Sequence, residues 1–351
     1  LETKRTTKIT ALILVLLLLA SLMVGCRAST PEPAPASEAQ QSSTVPQDKY
    51  VMKFAHDYTT NSPYHEAAVK FKELVEAKSE GRMEVQIYPA QQLGSAREMI
   101  EGMQMGTIEM VWTPTAKFAG FDQRLTLIDL PYLFKDEDTM WKALEGELGQ
   151  KLMGYLEPIG IKGISFCAEG YKIFTANKPI KSPEDFAGMK IRTMEAPVIM
   201  AQFKAWGANP VPIDFAEVYN ALQQKVVDGQ ENPIITIHDM KFYEVQDYLS
   251  VADHAYLTYF LSASKKWYDG LPEDLQKIVM DSGLEMTEYH KGLIKDANDR
   301  YLQNVQDYGT QIYVLNDEER QALKDSAIGI YAEFEEVFGK ELIEEALSYS
   351  N

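Results

Sequence analysis

From Tyr50 onward the apolar positions change period repeatedly, from every second residue to every third or fourth and back again. Tyr50 to Phe54 reads as a strand. Pro63 to Ser79 reads as an amphipathic helix with Ala67, Ala68, Phe71, Leu74 and Val75 on its apolar face. Ser62 is its cap, and Pro63 takes the first position, where a missing N–H costs nothing. Met83 to Tyr88 alternates as a half-buried strand, Ala96 to Met105 is a helix ended by Gly106, and Ile108 to Trp112 is a further strand. The exchange recurs as a strand over Lys190 to Thr193, a helix over Glu195 to Trp206 broken by Gly207 to Pro210, and a strand over Val211 to Ile213. Asp214 then caps a helix carrying Phe215, Val218, Tyr219 and Leu222 on one face, which gives way to Val226, Val227, Asp228 and a turn around Gly229. Strands interleaved with helices predict a layered α/β architecture.

One stretch echoes another. The run from Glu98 to Met110 and the run from Glu217 to Gly229 share a helix, a break and a short apolar-acidic strand, with Ile108 matching Val227 and Glu109 matching Asp228. A pair of related lobes produces such an echo. The last third differs: Pro272 to Asp307 is helical by pattern, and a helix of that length spans ~50 Å, enough to run across two lobes. Gly283 and Gly292 interrupt its pattern without breaking it. Thr310 to Leu315 returns as a strand, and Asp317 to Phe338 is helical with Asn316 as cap.

The N-terminal residues change the picture of where this fold resides. Lys4, Arg5 and Lys8 form a basic region, Ile9 to Val24 is apolar, and Gly25-Cys26 closes the segment as a lipoprotein cleavage site does. The apolar run is short of the ~20 residues a bilayer span needs. Residues 1–26 therefore read as a lipoprotein signal peptide with Cys26 as the lipidated residue, and residues 27–49, rich in Ser, Thr, Pro, Ala, Glu and Gln, as a disordered tether. Cys167 is the only other cysteine, so no disulfide closes within the chain; its apolar neighbours make it a buried strand thiol. The full chain carries 34 basic and 52 acidic residues, a net charge of −18. Nucleic acid is an unsuitable partner for such a field, and an anionic substrate needs local cations to hold it.

Arg192, Phe215 and Asn232 stand at successive ends of the predicted strands and helices, where ligand sites form. A guanidinium and a carboxylate are both planar forks, so Arg192 suits an acid group; a strand-end arginine also serves as a structural ion pair. Asn232 both donates and accepts, and before Pro233 it equally suits a turn. Phe215, Trp112, Tyr171 and Phe174 are candidates for a cavity wall or for core.

The stretch PIDFAEVYNALQQKVVDGQENP, together with IYPAQQLGSAREMIEGMQMGTIEM, DLPYLF, KFYEVQDYL and LPEDLQKIV, resembles the solute receptors of TRAP transporters, the DctP type. The resemblance runs from Tyr50 to Phe338. It implies a two-lobed, periplasmic-binding-protein-like fold with a hinge and a long helix spanning both lobes. The expected boundaries are 50–169 with 258–297 for one lobe and 170–257 with 298–351 for the other. It further implies an extracytoplasmic receptor that captures an organic acid and delivers it to a small and a large membrane subunit, with no cofactor and no metal. By the same resemblance Arg192 binds the ligand carboxylate, Asn232 lines the site, Phe215 and Trp112 wall it, and His56 and Asp57 supply a polar group. Lys172 stands where many relatives have a second arginine; it either meets a second carboxylate, a hydroxyl or a carbonyl, or faces solvent. Pro114 replaces the glutamate of sialic-acid-binding relatives.

Other classes fit less well. The chain has no G-x-S-x-G, P-loop or G-x-G-x-x-G; His65-Glu66 begins like H-E-x-x-H, but Val69 takes the second ligand position. Ser262 and Lys265 fit S-x-x-K without its partner motifs. The five histidines are scattered. A binding lipoprotein of an ATP-driven importer or of a sensor remains the alternative, with a secreted hydrolase behind it.

Overall fold

The computed structural model describes residues 48–350. The expected signal peptide, Cys26 and nearly all of the tether lie outside the described residues. Strands β1 (Tyr50–His56), β2 (Met83–Tyr88), β3 (Met110–Pro114) and β4 (Ile161–Tyr171) join β10 (Tyr256–Ser264) in one sheet, ordered β2-β1-β3-β10-β4. Strands β5 (Ile173–Ala176), β6 (Lys190–Thr193), β7 (Asn209–Pro212), β8 (Gly229–Asn232), β9 (Tyr248–Val251) and β11 (Gln311–Val314) form a second, ordered β11-β9-β5-β8-β6-β7. In the first sheet β1 runs parallel to β2 and β3; in the second β6 runs parallel to β7 and β8. The architecture is two-lobed α/β.

Local signals explain most elements. The helix Pro63–Lys78 begins with the Ser62 side chain accepting the His65 N–H, and Ala96–Met105 has a full capping box between Ser95 and Glu98 and ends on Gly106 in the left-handed conformation. The internal echo has a structural counterpart. Glu109 accepts the Lys53 backbone N–H at 2.8 Å, and Asp228 accepts the Lys190 backbone N–H at 2.8 Å, each tying the start of one parallel strand to the strand beside it.

Some boundaries move. The third strand starts at Met110 rather than Ile108, because the Thr107 and Ile108 N–H groups close the preceding helix onto the Gly102 carbonyl. The helix expected from Glu195 starts at Pro197, and the strand expected from Val211 starts at Asn209. Gly229 is not a turn but the first residue of β8. The turn falls earlier, at Lys225 with φ 57°, and a Cβ on Gly229 would lie 2.3 Å from the Thr175 carbonyl oxygen of β5. The helix expected over Asp317 to Phe338 is three helices, Asp317–Ala327, Ile330–Glu333 and Glu335–Phe338, broken around Gly329.

The 36-residue helix Glu273–Tyr308 is the longest element. Its first half packs on Pro63–Lys78, with Lys78 paired to Glu285 and the Tyr289 hydroxyl donating to Glu66, each at 2.7 Å. Its second half reaches the helix Ile234–Asp239 that follows β8, where Tyr301 stacks on His238 with ring centroids 3.7 Å apart. The end of the chain divides between the sheets. Leu323 accepts the Trp206 indole N–H beside the second sheet, while the helix Lys340–Ser348 returns to Glu147–Leu156 beside the first, through Lys151 and Glu345 at 2.6 Å.

Candidate functional site

The parallel strands β1, β3, β6, β7 and β8 all deliver their C-terminal ends to one place, the position where open α/β sheets bind ligands. A small cavity of about 10 Å³ lies there. Asp57 and Tyr58 enter it from the end of β1, Pro114 and Lys117 from the end of β3, and Leu257 and Tyr259 from β10. Arg192 and Met194 enter from β6, Phe215 from the turn after β7, and Asn232 from β8. Residues of both sheets thus share one wall, and Phe215 meets Tyr58 edge to face at 5.6 Å. A mouth of about 240 Å³ adjoins through Lys117 and is flanked by Arg97, Glu195 and Asp214. A larger groove, about 650 Å³, runs past Trp141, Met153 and Leu284 and contains none of the expected site residues.

Arg192 is 2% exposed and carries no carboxylate in ion-pair reach among the described residues. Its Nε and Nη2 donate to the Ile213 carbonyl at 3.1 and 3.0 Å, which fixes the plane of the guanidinium. Burial pulls it down to about 10, against the pull of Asp214 and Glu231, so it stays charged at neutral pH. A buried charge costs several kcal/mol unless it is paired. The site therefore holds a fixed cation ready for an anion.

Lys172 is also buried, but it is already paired. It is the single residue between β4 and β5, where the chain crosses from one sheet to the other, and its N–H donates to Ala255 on the return crossing at 2.8 Å. Gly170, with φ 128°, permits the bend. The Lys172 ammonium lies 3.2 Å from Glu231 and 3.7 Å from Asp129, and His254 sits 2.6 Å from the other Glu231 oxygen. Burial pushes Glu231 up, but Lys172 and His254 outweigh it and hold the carboxyl at about 2. Asp129, with weaker compensation from Lys172, is raised by burial to about 6. The side chain that stands in for a second arginine thus belongs to the crossing and not to the cavity wall.

Asn232 lines the cavity with its amide donating to Gln230. Asp57 is buried, accepting from Thr113 at 2.6 Å and Gln91 at 2.9 Å. His56 and Trp112 are absent from the wall. Alternation along β1 turns His56 toward the Pro63–Lys78 helix, where it meets His65 at 3.2 Å, and burial holds it neutral, at about 3. Alternation along β3 sends Thr113 to Asp57 and Trp112 the other way, between Tyr64 and His290. Phe174 is core, stacked on His254 at 4.2 Å. Sequence reasoning missed Lys117, Tyr58, Tyr259, Met194 and Leu257. Lys117 and Tyr58 follow strand ends as Arg192 does, and that signal was available; the β10 residues follow no such rule, because β10 runs antiparallel to its neighbours.

The family model for bacterial extracellular solute-binding proteins of family 7, DctP, matches residues 54–337. The chain is 38% identical over 295 residues to the C4-dicarboxylate-binding periplasmic protein DctP of Rhodobacter capsulatus, covering 84% of this chain and 89% of that one. Its structure is similar to the sugar acid binding protein DctPAm of Advenella mimigardefordensis in complex with galactonate, with TM-score 0.84, 30% identity and coverage of 86% and 98%. A TRAP periplasmic solute binding protein of Shewanella oneidensis with bound succinate matches with TM-score 0.84, 33% identity and coverage of 86% and 100%. On that family model, identity and coverage the chain belongs to the bacterial extracellular solute-binding proteins of family 7, the DctP-type receptors of TRAP transporters.

Proposed function

We propose that this receptor captures a carboxylate-bearing small molecule by closing two lobes around it, with Arg192 pairing with the carboxylate. The observation that carries this reading is a buried guanidinium, oriented by the Ile213 carbonyl, that lacks an acid partner among the described residues. Relatives that bind succinate and galactonate support an organic acid as the ligand class. In this reading the lobes are residues 50–169 with 258–297, and 170–257 with 298–351, and they hinge where Lys172 and Ala255 lie side by side. Closure expels water from the acid group and presents one face to the small and large membrane subunits. Cys26 is the lipid attachment, residues 27–49 are the tether, and the receptor works outside the cytoplasmic membrane with no catalytic step.

Arg192→Ala tests this directly. Hydrogen bonds to charged groups contribute about 1.5 to 3 kcal/mol each, so loss of a bidentate pair weakens binding about a hundredfold or more. Calorimetry against a panel of organic acids measures it, with the melting temperature as a control for folding. Near-native affinity in a folded Arg192→Ala protein, or capture of neutral compounds alone, sinks the assignment.

A further inference from the structure

The wall of the cavity carries six polar side chains, Asp57, Tyr58, Lys117, Arg192, Asn232 and Tyr259, and most of their protons are already committed. Glu169, on β4 and fully buried, accepts the hydroxyls of Tyr58 at 2.8 Å, Tyr259 at 2.7 Å, Tyr64 at 3.1 Å and Thr236 at 2.6 Å. A hydroxyl has a single proton to give, so neither wall tyrosine has one left for a ligand. One Asn232 N–H goes to Gln230, and Asp57, whose carboxyl burial raises, accepts from Gln91 and Thr113. The donors left facing the cavity are those of Arg192 beyond its bonds to Ile213, one N–H of Asn232, and the ammonium of Lys117.

A fixed turn presents Lys117. Residues Thr115–Phe118 form one short helical turn after β3, with Thr115, Ala116 and Phe118 buried and Phe118 edge-on to Phe260 at 5.1 Å. Lys117 alone in that turn is half-buried, and it lines both the cavity and its mouth. Its ammonium makes no hydrogen bond and no ion pair among the described residues. Burial pushes it down and Arg192 adds to the push, against the pull of Asp57, Asp214 and Glu195. Counted across cavity and mouth, three cations match three carboxylates, but Arg97 is paired to Glu101 at 3.0 Å and Asp214 caps the Ala216 N–H. Two cations, one from each sheet, are thus left repelling each other at one cavity.

We propose that Lys117 is a grip of the first sheet on the ligand, sharing with Arg192 of the second sheet the one carboxylate that Arg192 binds. This rests on the receptor reading above and adds the contact that makes the acid group a bridge between the lobes. An anion between two like charges turns their repulsion into two attractions, so the charge of the ligand draws the walls together. A neutral analogue of the same shape leaves the repulsion in place. The arrangement also sets stability against function, because an unpaired cation held near another weakens the ligand-free fold and is compensated only on binding.

Calorimetry with succinate, galactonate and lactate, paired with thermal melts of the ligand-free protein, tests this on Lys117→Met and Lys117→Arg. Lys117→Met is expected to weaken every acid that the wild type binds about tenfold or more. The same ligand-free variant is expected to melt about 1 to 3 °C higher, because an unpaired charge is gone. Lys117→Arg keeps the charge and is expected to bind within about threefold of the wild type. Affinity and melting temperature falling together in Lys117→Met would mark a structural lysine and overturn the proposal. Unchanged affinity in Lys117→Met, with Arg192→Ala abolishing binding, keeps the receptor and overturns the bridge. A loss confined to succinate assigns Lys117 to a second carboxylate and overturns the sharing. Binding of none of the three acids by the wild type overturns both readings.

Discussion

Two buried cations in this molecule have opposite tasks. Arg192 touches only a carbonyl, whereas Lys172 closes a network of Glu231, Asp129 and His254 at the crossing between the sheets. Removing one member of a buried ion pair leaves the other charge without compensation, a loss of about 3 to 5 kcal/mol. Lys172→Ala is therefore expected to destabilise the fold by that amount in urea unfolding, and a loss below ~1 kcal/mol would show that Glu231 finds another partner. The same substitution bears on ligand affinity only through the geometry of the crossing, since Lys172 does not line the cavity.

The long helix offers a comparison of two glycines. A Cβ on Gly283 would sit 2.4 Å from the Ile164 side chain of β4, so the missing side chain lets helix and sheet approach. Gly292 is exposed and would meet nothing. Gly292→Ala is expected to stabilise the protein by about 1 kcal/mol through helix propensity. Gly283→Ala gains the same propensity but overpacks, for a net loss of about 1 to 2 kcal/mol. Paired thermal melts of the two variants decide it; equal shifts would mean that the contact at Ile164 relaxes freely.

At this scale most of the fold was legible in the chain itself. Period, caps and breakers place Pro63–Lys78, Met83–Tyr88, Ala96–Met105 and Lys190–Thr193, because each carries its own boundary residues. Gly229 misled because its role is set by Thr175, more than fifty residues away, and not by a local turn. Of the residues that line the cavity, strand and helix ends point to Arg192, Phe215 and Asn232, and the family resemblance to Asp57. His56 sits one residue from Asp57, and the two-residue period of a strand puts it on the other face, while Trp112 lies between Tyr64 and His290. Glu169 and its tyrosines gave no local signal, since four separate segments build that cluster.

For the whole molecule, buried titratable groups set the response to acid. Burial holds His56 and His290 at about 3, against 6.5 for the free side chain. The unfolded chain therefore binds more protons below about pH 6.5, and stability falls as pH drops through that window toward 3. Glu231, held at about 2 against 4.5, contributes stability that is present above 4.5 and lost below it. Asp129, raised to about 6 from 3.8, opposes them, since its folded form keeps a proton that the unfolded form has released. Burial lowers His65 and His254 as well and raises Asp57 and Glu169 alongside Asp129, so it is the histidines' share that is a loss on acidification from neutral pH to pH 4.5. His290→Phe removes one titration and is expected to shrink that loss by about 2 to 3 kcal/mol. Denaturant melts at the two pH values measure it, and an unchanged difference would show that His290 does not set the slope.

The order of strands has a consequence for how this molecule comes into being. β10 lies between β3 and β4, yet it is made after all of the second sheet except β11. While the chain is being synthesised, nothing links β4 to the β2-β1-β3 side of its sheet until Ser264 has left the ribosome, and the second sheet is complete only later still, with Val314. Such late, long-range closure makes folding slow, and a chain that cannot close early stays threadable during the interval in which a protein bound for the outside of a cell must cross its membrane.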